Sequence, residues 1–119
     1  MKRVEAIFRP ERLGELSAHL EGRGFSGFTI SDVRGHGQSP ERRGEWRGQT
    51  YELHVTHKLQ IQIIVEDDEV PTVIEAIIAG ARTGKVGDGL ITVTDLVAVV
   101  PIRAGTNGSA PEPETAGTG

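Results

Sequence analysis

The chain has 119 residues, of which 36% are hydrophobic and 25% are charged, and its formal net charge is −4. This composition predicts one folded domain with a modest core, and the negative balance argues against a general nucleic-acid-binding protein. The absence of cysteine excludes disulfides and thiolate metal sites. No apolar run is long enough to span a bilayer and no apolar signal segment precedes the first strand pattern, so we expect a cytoplasmic location.

The first part of the chain predicts a strand, a helix and a second strand. Residues 3 to 8 alternate, with Val4, Ala6 and Phe8 on one face, which is typical of a strand. Pro10 suits the first turn of a helix. The apolar stripe of that helix and its end are given by Leu13, Leu16, Leu20, and Gly22 or Gly24. The second strand is expected from Phe28 to Val33.

From Gly35 to about Tyr51 the periodic pattern stops. The segment carries glycine, arginine, serine, proline and glutamate with one tryptophan. This composition predicts a long loop without regular structure, and loops of this length in a small domain are usually functional or mobile.

Strand character resumes by Lys58, and the apolar residues of this strand share one face: Leu59, Ile61, Ile63 and Val65. Asp67 and Asp68 are expected to cap a helix with Pro71 in its first turn. The helical spacing is carried by Val70, Val73, Ile74, Ile77 and Ile78. Two short closing strands are predicted at 90–93 and 96–103, and the polar tail 105–119 is expected to be disordered.

The order β-α-β, long loop, β-α-β is that of the ferredoxin-like α+β fold, here placed in residues 1–104. Such a fold has an antiparallel sheet with two helices on one face. Ile7, Ile30 and Ile64 are expected on the uncovered face, where their exposure predicts an oligomer.

A glycine-rich segment, Ala81 to Gly89, follows the second helix and places Arg82 and Lys85 among three glycines. Glycine lets backbone amides approach a ligand, and two cations beside such amides make a phosphate cradle; the alternative is a turn with solvated charges. The segment is not a P-loop, because its spacing is one residue short and Val86 replaces the serine or threonine.

Several separated segments resemble the PII signal-transduction proteins: residues 5–7, 27–29, 35–37 and 47–51, Lys58, and residues 81–89. The resemblance spans Met1 to Arg103. It implies homotrimers of ferredoxin-like subunits with adenine nucleotides in the three clefts between subunits. It also implies that a loop at about 36–55 contacts a target protein.

The resemblance assigns residue roles. Gly87, Asp88 and Gly89 match the phosphate positions, and Arg82, Lys85 and Val86 belong to the same turn. The adenine side is matched by Gly35, His36, Gly37 and Ile64, and the neighbouring subunit's part by Gly27, Phe28, Thr29 and Arg103. Ile7 and Gln38 are further nucleotide-binding candidates. An effector anion is expected at Lys58, Gly37 and Gly87. The partner loop carries Arg42, Arg43, Trp46, Arg47 and Tyr51, and Tyr51 matches a residue that is uridylylated in some members.

Three departures from the family pattern change these expectations. Leu90 and Pro101 stand where the family has a phosphate-contacting lysine and arginine, so ADP or AMP is expected to be favoured over ATP. Ser39 replaces a glutamine that helps hold the magnesium shared with 2-oxoglutarate, so bicarbonate is a better candidate effector. The chain is therefore placed among atypical members, with the carboxysome-associated branch as a candidate. Its target is expected to be a membrane transporter or a regulatory enzyme in inorganic-carbon or nitrogen metabolism.

Three alternatives stay open. The chain could be a classical nitrogen-regulatory member that senses ATP and 2-oxoglutarate, a small phosphatase-type enzyme on the same fold, or a structural or metal-tolerance trimer without a nucleotide. The enzyme reading is disfavoured, because no catalytic constellation is present and the lone asparagine is Asn107 in the tail. His57 with His54, His36 or His19 lacks a carboxylate pattern for a metal, so no metal is expected to be required.

Overall fold

Six strands and two helices make up the computed structural model, which describes residues 1–36, 43–46, 49–52 and 55–103. The strands are β1 Lys2–Phe8, β2 Thr29–His36, β3 Arg43–Trp46, β4 Gln49–Glu52, β5 Val55–Val65 and β6 Leu90–Asp95. The helices are α1 Leu13–Glu21 and α2 Val70–Ala81, and each follows a short 3₁₀ turn, Pro10–Arg12 and Asp67–Glu69 respectively. The main sheet is antiparallel with the order β2-β5-β1-β6, which confirms the ferredoxin-like prediction.

One face of the main sheet packs against both helices and forms the core. Ala6 of β1 lies opposite Ile61 of β5 on this face. The apolar strand residues predicted for the core are all buried: Val4, Ala6, Phe8, Leu59, Ile61, Ile63 and Val65. The helices contribute Leu16, Leu20, Val73, Ala76 and Ile77. Ile78 is an exception to the predicted stripe, since 45% of it is exposed.

The opposite face of the sheet is polar at its centre. Gln60 Nε2 and Gln62 Nε2 donate to the Glu5 carboxylate at 2.9 and 3.3 Å. Ile7 and Ile64 lie on this face as predicted, because they pair with Gln60 and Arg3. The prediction for Ile30 was wrong: its partner is Ile61, and it packs against the core.

The start of α2 also differs from the prediction. Asp67 and Asp68 lie inside the 3₁₀ turn, and the cap is made by Glu66 and Glu69. The Glu66 amide donates to Glu69 Oε1 at 2.9 Å, and the Glu66 side chain accepts from the Glu69 amide. This reciprocal arrangement satisfies two amides that otherwise lack partners.

The described parts of the segment 35–51 form strands, which corrects the prediction of a segment without regular structure. β2 continues to His36, β5 begins at Val55, and between them β3 and β4 form a separate two-stranded antiparallel sheet. Gly44 pairs with Tyr51, and Trp46 pairs with Gln49. Strands of four residues without apolar alternation give little signal in sequence, which explains the error.

Residues 96–103 form no strand, contrary to the prediction. Leu96 N still donates to Met1 O at 3.2 Å, but the ladder between β1 and β6 ends at the pair Lys2 and Asp95. Val97 and Ile102 are fully exposed. The predicted disordered tail, 105–119, lies outside the described residues.

Candidate functional site

The glycine turn between α2 and β6 has a backbone that requires glycine. Gly84, Gly87 and Gly89 have φ angles of +86°, +98° and +105°. A Cβ on Gly89 would stand 1.7 Å from the carbonyl oxygen of Ile7. The predicted turn therefore packs directly against the end of β1. Its glycines are exposed, so its main chain is accessible to solvent or a ligand.

The Asp88 carboxylate holds this turn together from within. Asp88 Oδ2 accepts hydrogen bonds from the amides of Thr83 and Gly84 at 2.9 and 2.8 Å. Asp88 Oδ1 accepts from Thr83 Oγ1 and from Arg9 Nε, the latter at 3.1 Å. Partial burial raises the pKa of Asp88, but the hydrogen bonds from Thr83, Gly84 and Arg9 outweigh this and hold the pKa well below its usual range.

Two cations reach the turn from other elements. Arg9, between β1 and the first 3₁₀ turn, donates from Nη2 to Val86 O at 2.8 Å. Lys58 of β5 is only 8% exposed, and its Nζ donates to Gly87 O. A Cβ on Gly35 of β2 would lie 3.3 Å from Lys58 Cγ, so β2, β5 and the turn meet here.

The structure separates the predicted nucleotide residues into two groups. Ile7, Gly35, Lys58 and the turn 82–89 lie at one end of the main sheet. Thr29, which pairs with Gln62, and Ile64 lie toward the other end. Thr29 and Gly35 are six residues apart on β2, roughly 20 Å at the rise of a strand.

Three further predicted residues take up other positions. Gly27 precedes β2, Phe28 packs against the core, and Arg103 is exposed beyond β6. A single chain therefore does not bring all the predicted nucleotide residues together.

A shallow depression of about 100 Å³ lies beside the turn, between the end of α2 and strands β1 and β6. Its lining includes Ile78, Arg82, Asp88, Gly89 and Leu90. This volume is below the roughly 300–1,000 Å³ of typical ligand pockets. A wider hollow of about 480 Å³ lies along β2 and β5, and the described residues that line it, Asp32, Val33, Arg34, Val55 and His57, include no predicted nucleotide residue.

Sequence reasoning missed two residues of the site. Arg9 contacts Asp88 across 79 positions of sequence, and a lone arginine before a proline carries no local signal of that contact. Thr83 was covered by the resemblance to residues 81–89 but was given no role. Its hydroxyl accepts from the Lys85 amide at 3.2 Å, an ST-type turn that the order Thr-Gly-Lys could have indicated.

Several predicted residues lie outside the described side chains. Gly37, Gln38, Ser39, Arg42 and Arg47 are not described. His36, Arg43, Trp46 and Tyr51 are placed by backbone alone, His36 on β2, Arg43 and Trp46 on β3, and Tyr51 on β4.

Within residues 1–36, 43–46, 49–52 and 55–103, no three His, Cys, Asp or Glu side chains are arranged to hold a metal ion. His57 Nε2 lies 2.9 Å from Asp32 Oδ1. The helices of these same ranges include none with the length and apolar character to cross a bilayer.

Comparisons with known proteins agree on one family. The family described as nitrogen regulatory protein P-II matches residues 1–106. Nitrogen regulatory protein P-II of Microchaete diplosiphon is 44% identical over 105 residues, 88% of this chain and 94% of the relative. Nitrogen regulatory protein P-II 1 of Methanothermobacter thermautotrophicus is 43% identical over 108 residues, 91% of this chain and 94% of the relative. Nitrogen regulatory protein P-II of Porphyra purpurea is 38% identical over 110 residues, 92% of this chain and 98% of the relative.

Proposed function

Because the chain belongs to the P-II family of nitrogen regulatory proteins and is a signalling protein of that kind, we propose that it binds an adenine nucleotide in clefts between the subunits of a homotrimer. The nucleotide controls residues 36–55, through which the protein acts on its target. The observation that carries this proposal is the turn 82–89, whose main chain is pressed onto β1 at Gly89 and braced by Asp88.

The turn has the chemistry that phosphates require. Its glycines leave the main chain uncovered, and successive amides of such a turn attract anions. Arg82 and Lys85 are exposed beside these amides, so they are free to approach a bound phosphate. Charge-assisted hydrogen bonds from both would add to the backbone contacts.

The division of the site supports a cleft between subunits. The depression beside the turn is too small for a nucleotide, and the other predicted residues lie toward the far end of the same sheet. A second copy could supply Thr29 and Arg103 to the turn of the first. The exposed apolar segment 96–103 provides a surface for that association, because Val97, Val100 and Ile102 find no cover in their own chain's described part.

The nucleotide preferred in this proposal is ADP or AMP. Leu90 is 59% exposed at the end of the turn and Pro101 precedes Arg103, at the two positions where the family resemblance implies cations. Each absent charge-assisted contact removes roughly 1.5–3 kcal/mol of phosphate binding. The loss is greatest for ATP, which carries the most phosphate charge.

The effector proposed is a small anion such as bicarbonate rather than 2-oxoglutarate. Lys58 places a cation against the turn, where its Nζ donates to Gly87 O, and this positive charge would attract a compact anion beside the turn. Ser39 is too short to replace the glutamine that the family uses with magnesium. A target in inorganic-carbon or nitrogen metabolism, such as a membrane transporter or a regulatory enzyme, and membership of the carboxysome-associated branch belong to the same proposal.

Isothermal titration calorimetry with AMP, ADP and ATP tests the proposal, with magnesium and with or without bicarbonate or 2-oxoglutarate. We expect binding of ADP and AMP at least as tight as that of ATP, and a change with bicarbonate. Tighter ATP binding that 2-oxoglutarate strengthens would instead favour a classical nitrogen-regulatory member. No heat or thermal shift with any of the three nucleotides would overturn the proposal, and turnover of a phosphoester would favour the enzyme alternative.

A further inference from the structure

We propose that Asp88 is a positioning residue of the nucleotide site: its carboxylate occupies the amides of Thr83 and Gly84 and thereby reserves the amides of Gly87 and Gly89 for the phosphates. This inference rests on the proposed function. In this role the Asp88 side chain shapes the site without contacting the ligand.

The hydrogen bonds of the turn divide its main chain into two parts. The first part, at Thr83 and Gly84, is saturated by Asp88 Oδ2 at 2.9 and 2.8 Å. The second part follows Val86, and none of the hydrogen bonds found among the described residues uses the amide of Gly87 or Gly89. Gly87 and Gly89 therefore present amide donors to a ligand, whereas Thr83 and Gly84 do not.

Asp88 itself is held by groups from outside the turn. Arg9 Nε lies 3.1 Å from Asp88 Oδ1, while Arg9 Nη2 lies 2.8 Å from Val86 O. One guanidinium thus ties the carboxylate and the main chain of the turn to the end of β1. We call the contacts of Arg9 with Asp88 and with Val86 O the Arg9 bracket. The side chains of Arg9 and Asp88 are 13% and 23% exposed, so the bracket is largely shielded from water.

Because Asp88 is charged, removing its charge distinguishes two roles by whether nucleotide binding becomes tighter or weaker. A carboxylate near a phosphate repels it, so neutralising a mere neighbour would tighten binding, most strongly for ATP. Neutralising a positioning residue has the opposite effect: asparagine keeps one acceptor oxygen in place of two, so either the amides of Thr83 and Gly84 or the Arg9 guanidinium faces an NH2 group, and the turn changes shape. That loss is equal for every nucleotide, since it precedes contact with any phosphate.

Calorimetry on Asp88→Asn makes the comparison, with Asp68→Asn as the matched control on an exposed carboxylate at the far end of α2. We expect Asp88→Asn to weaken AMP, ADP and ATP alike, by about tenfold or more, because a donor left without an acceptor distorts the turn before any nucleotide binds. We expect Asp68→Asn to bind as the wild type does. Unchanged AMP binding with tighter ATP binding would overturn the inference.

Amide hydrogen exchange of the wild type, followed by NMR without nucleotide, tests the same inference if Asp88→Asn does not fold. Slow exchange at Thr83 and Gly84 with fast exchange at Gly87 and Gly89 is expected. Equal exchange at all four amides would overturn the inference. A wild type that shows this pattern but binds no adenine nucleotide would refute the proposed function alone, because the bracket would then exist without its ligand.

Discussion

Gly89 lies directly against Ile7: a Cβ at residue 89 would stand 1.7 Å from the Ile7 carbonyl oxygen, at a φ of +105°. Two independent constraints, backbone conformation and backbone contact, therefore require glycine here. Gly84 shares only the first constraint, because its φ is +86° and nothing lies within 4 Å of its virtual Cβ.

This difference predicts different losses of stability. Gly84→Ala should lower the free energy of unfolding by about 1–2 kcal/mol, through the left-handed conformation alone. Gly89→Ala should lower it by about 3 kcal/mol or more, because the turn must also move away from β1. Urea denaturation measures both values, and equal losses would contradict the prediction.

The crossing of α1 and α2 predicts a further effect. A Cβ on Gly80 would lie 2.5 Å from Leu16 Cα, whereas Gly14 on α1 has open space. Gly80→Ala should destabilise the protein by about 1–3 kcal/mol, because the helices must separate. Gly14→Ala should be neutral or stabilise by up to about 1 kcal/mol, through lower entropy of the unfolded chain. Thermal denaturation of the pair gives the comparison, and a stable Gly80→Ala protein would show that the helices adjust freely.

The depressed pKa of Asp88 predicts a pH dependence. A carboxyl whose pKa is lower in the folded than in the unfolded state stabilises the fold above the unfolded value of about 4. This contribution is lost progressively as the pH falls below that value toward the folded pKa. The wild type should therefore be more stable than Asp88→Asn at pH 7, and the difference should shrink below about pH 4. Urea unfolding across this range measures it, and a difference independent of pH would contradict the prediction.

Replacement of Leu90 should restore phosphate affinity. Leu90→Lys should tighten ATP binding by about tenfold or more and AMP binding much less, because the new cation reaches the outer phosphates. Leu90→Gln has a similar reach without the charge and serves as the control. Calorimetry with both nucleotides decides, and equal gains from lysine and glutamine would exclude a charge effect.

The exposed C-terminal segment should hold the subunits together. Ile102 is 97% exposed in the single chain, and burying an isoleucine is worth about 1.5–3 kcal/mol per subunit. Ile102→Asp should therefore dissociate an assembly of three 12.8 kDa chains, whereas Thr72→Asp on the exposed side of α2 should not. Sedimentation equilibrium gives the mass, and a monomeric wild type would refute the trimer.

Periodicity was sufficient to predict the core but not the pairing of the strands. The alternation around Ile61 and the helical spacing around Val73 both correspond to buried faces. Ile30 was placed on the wrong face because its side depends on its register with Ile61, which no local pattern specifies. The cap could have been recognised from two glutamates three positions apart, Glu66 and Glu69. The prediction instead chose the two aspartates between them.

The candidate site was likewise only partly predictable from the sequence. The glycines of the turn were recognised because each marks an unusual backbone in the sequence itself. The Arg9–Asp88 contact could not be, because it joins residues 79 positions apart and depends on how the turn folds back onto β1.

The β2–β5 pairing described above has a practical consequence. Its eight residue pairs run without interruption from Thr29 and Gln62 to His36 and Val55, past the last core residue Leu59. The insertion between them is thus mounted on a stiff two-stranded stem rather than on the hydrophobic interior. A fluorophore or a peptide epitope grafted between β3 and β4, after Trp46 and before Gln49, should leave folding intact and report occupancy of the cleft.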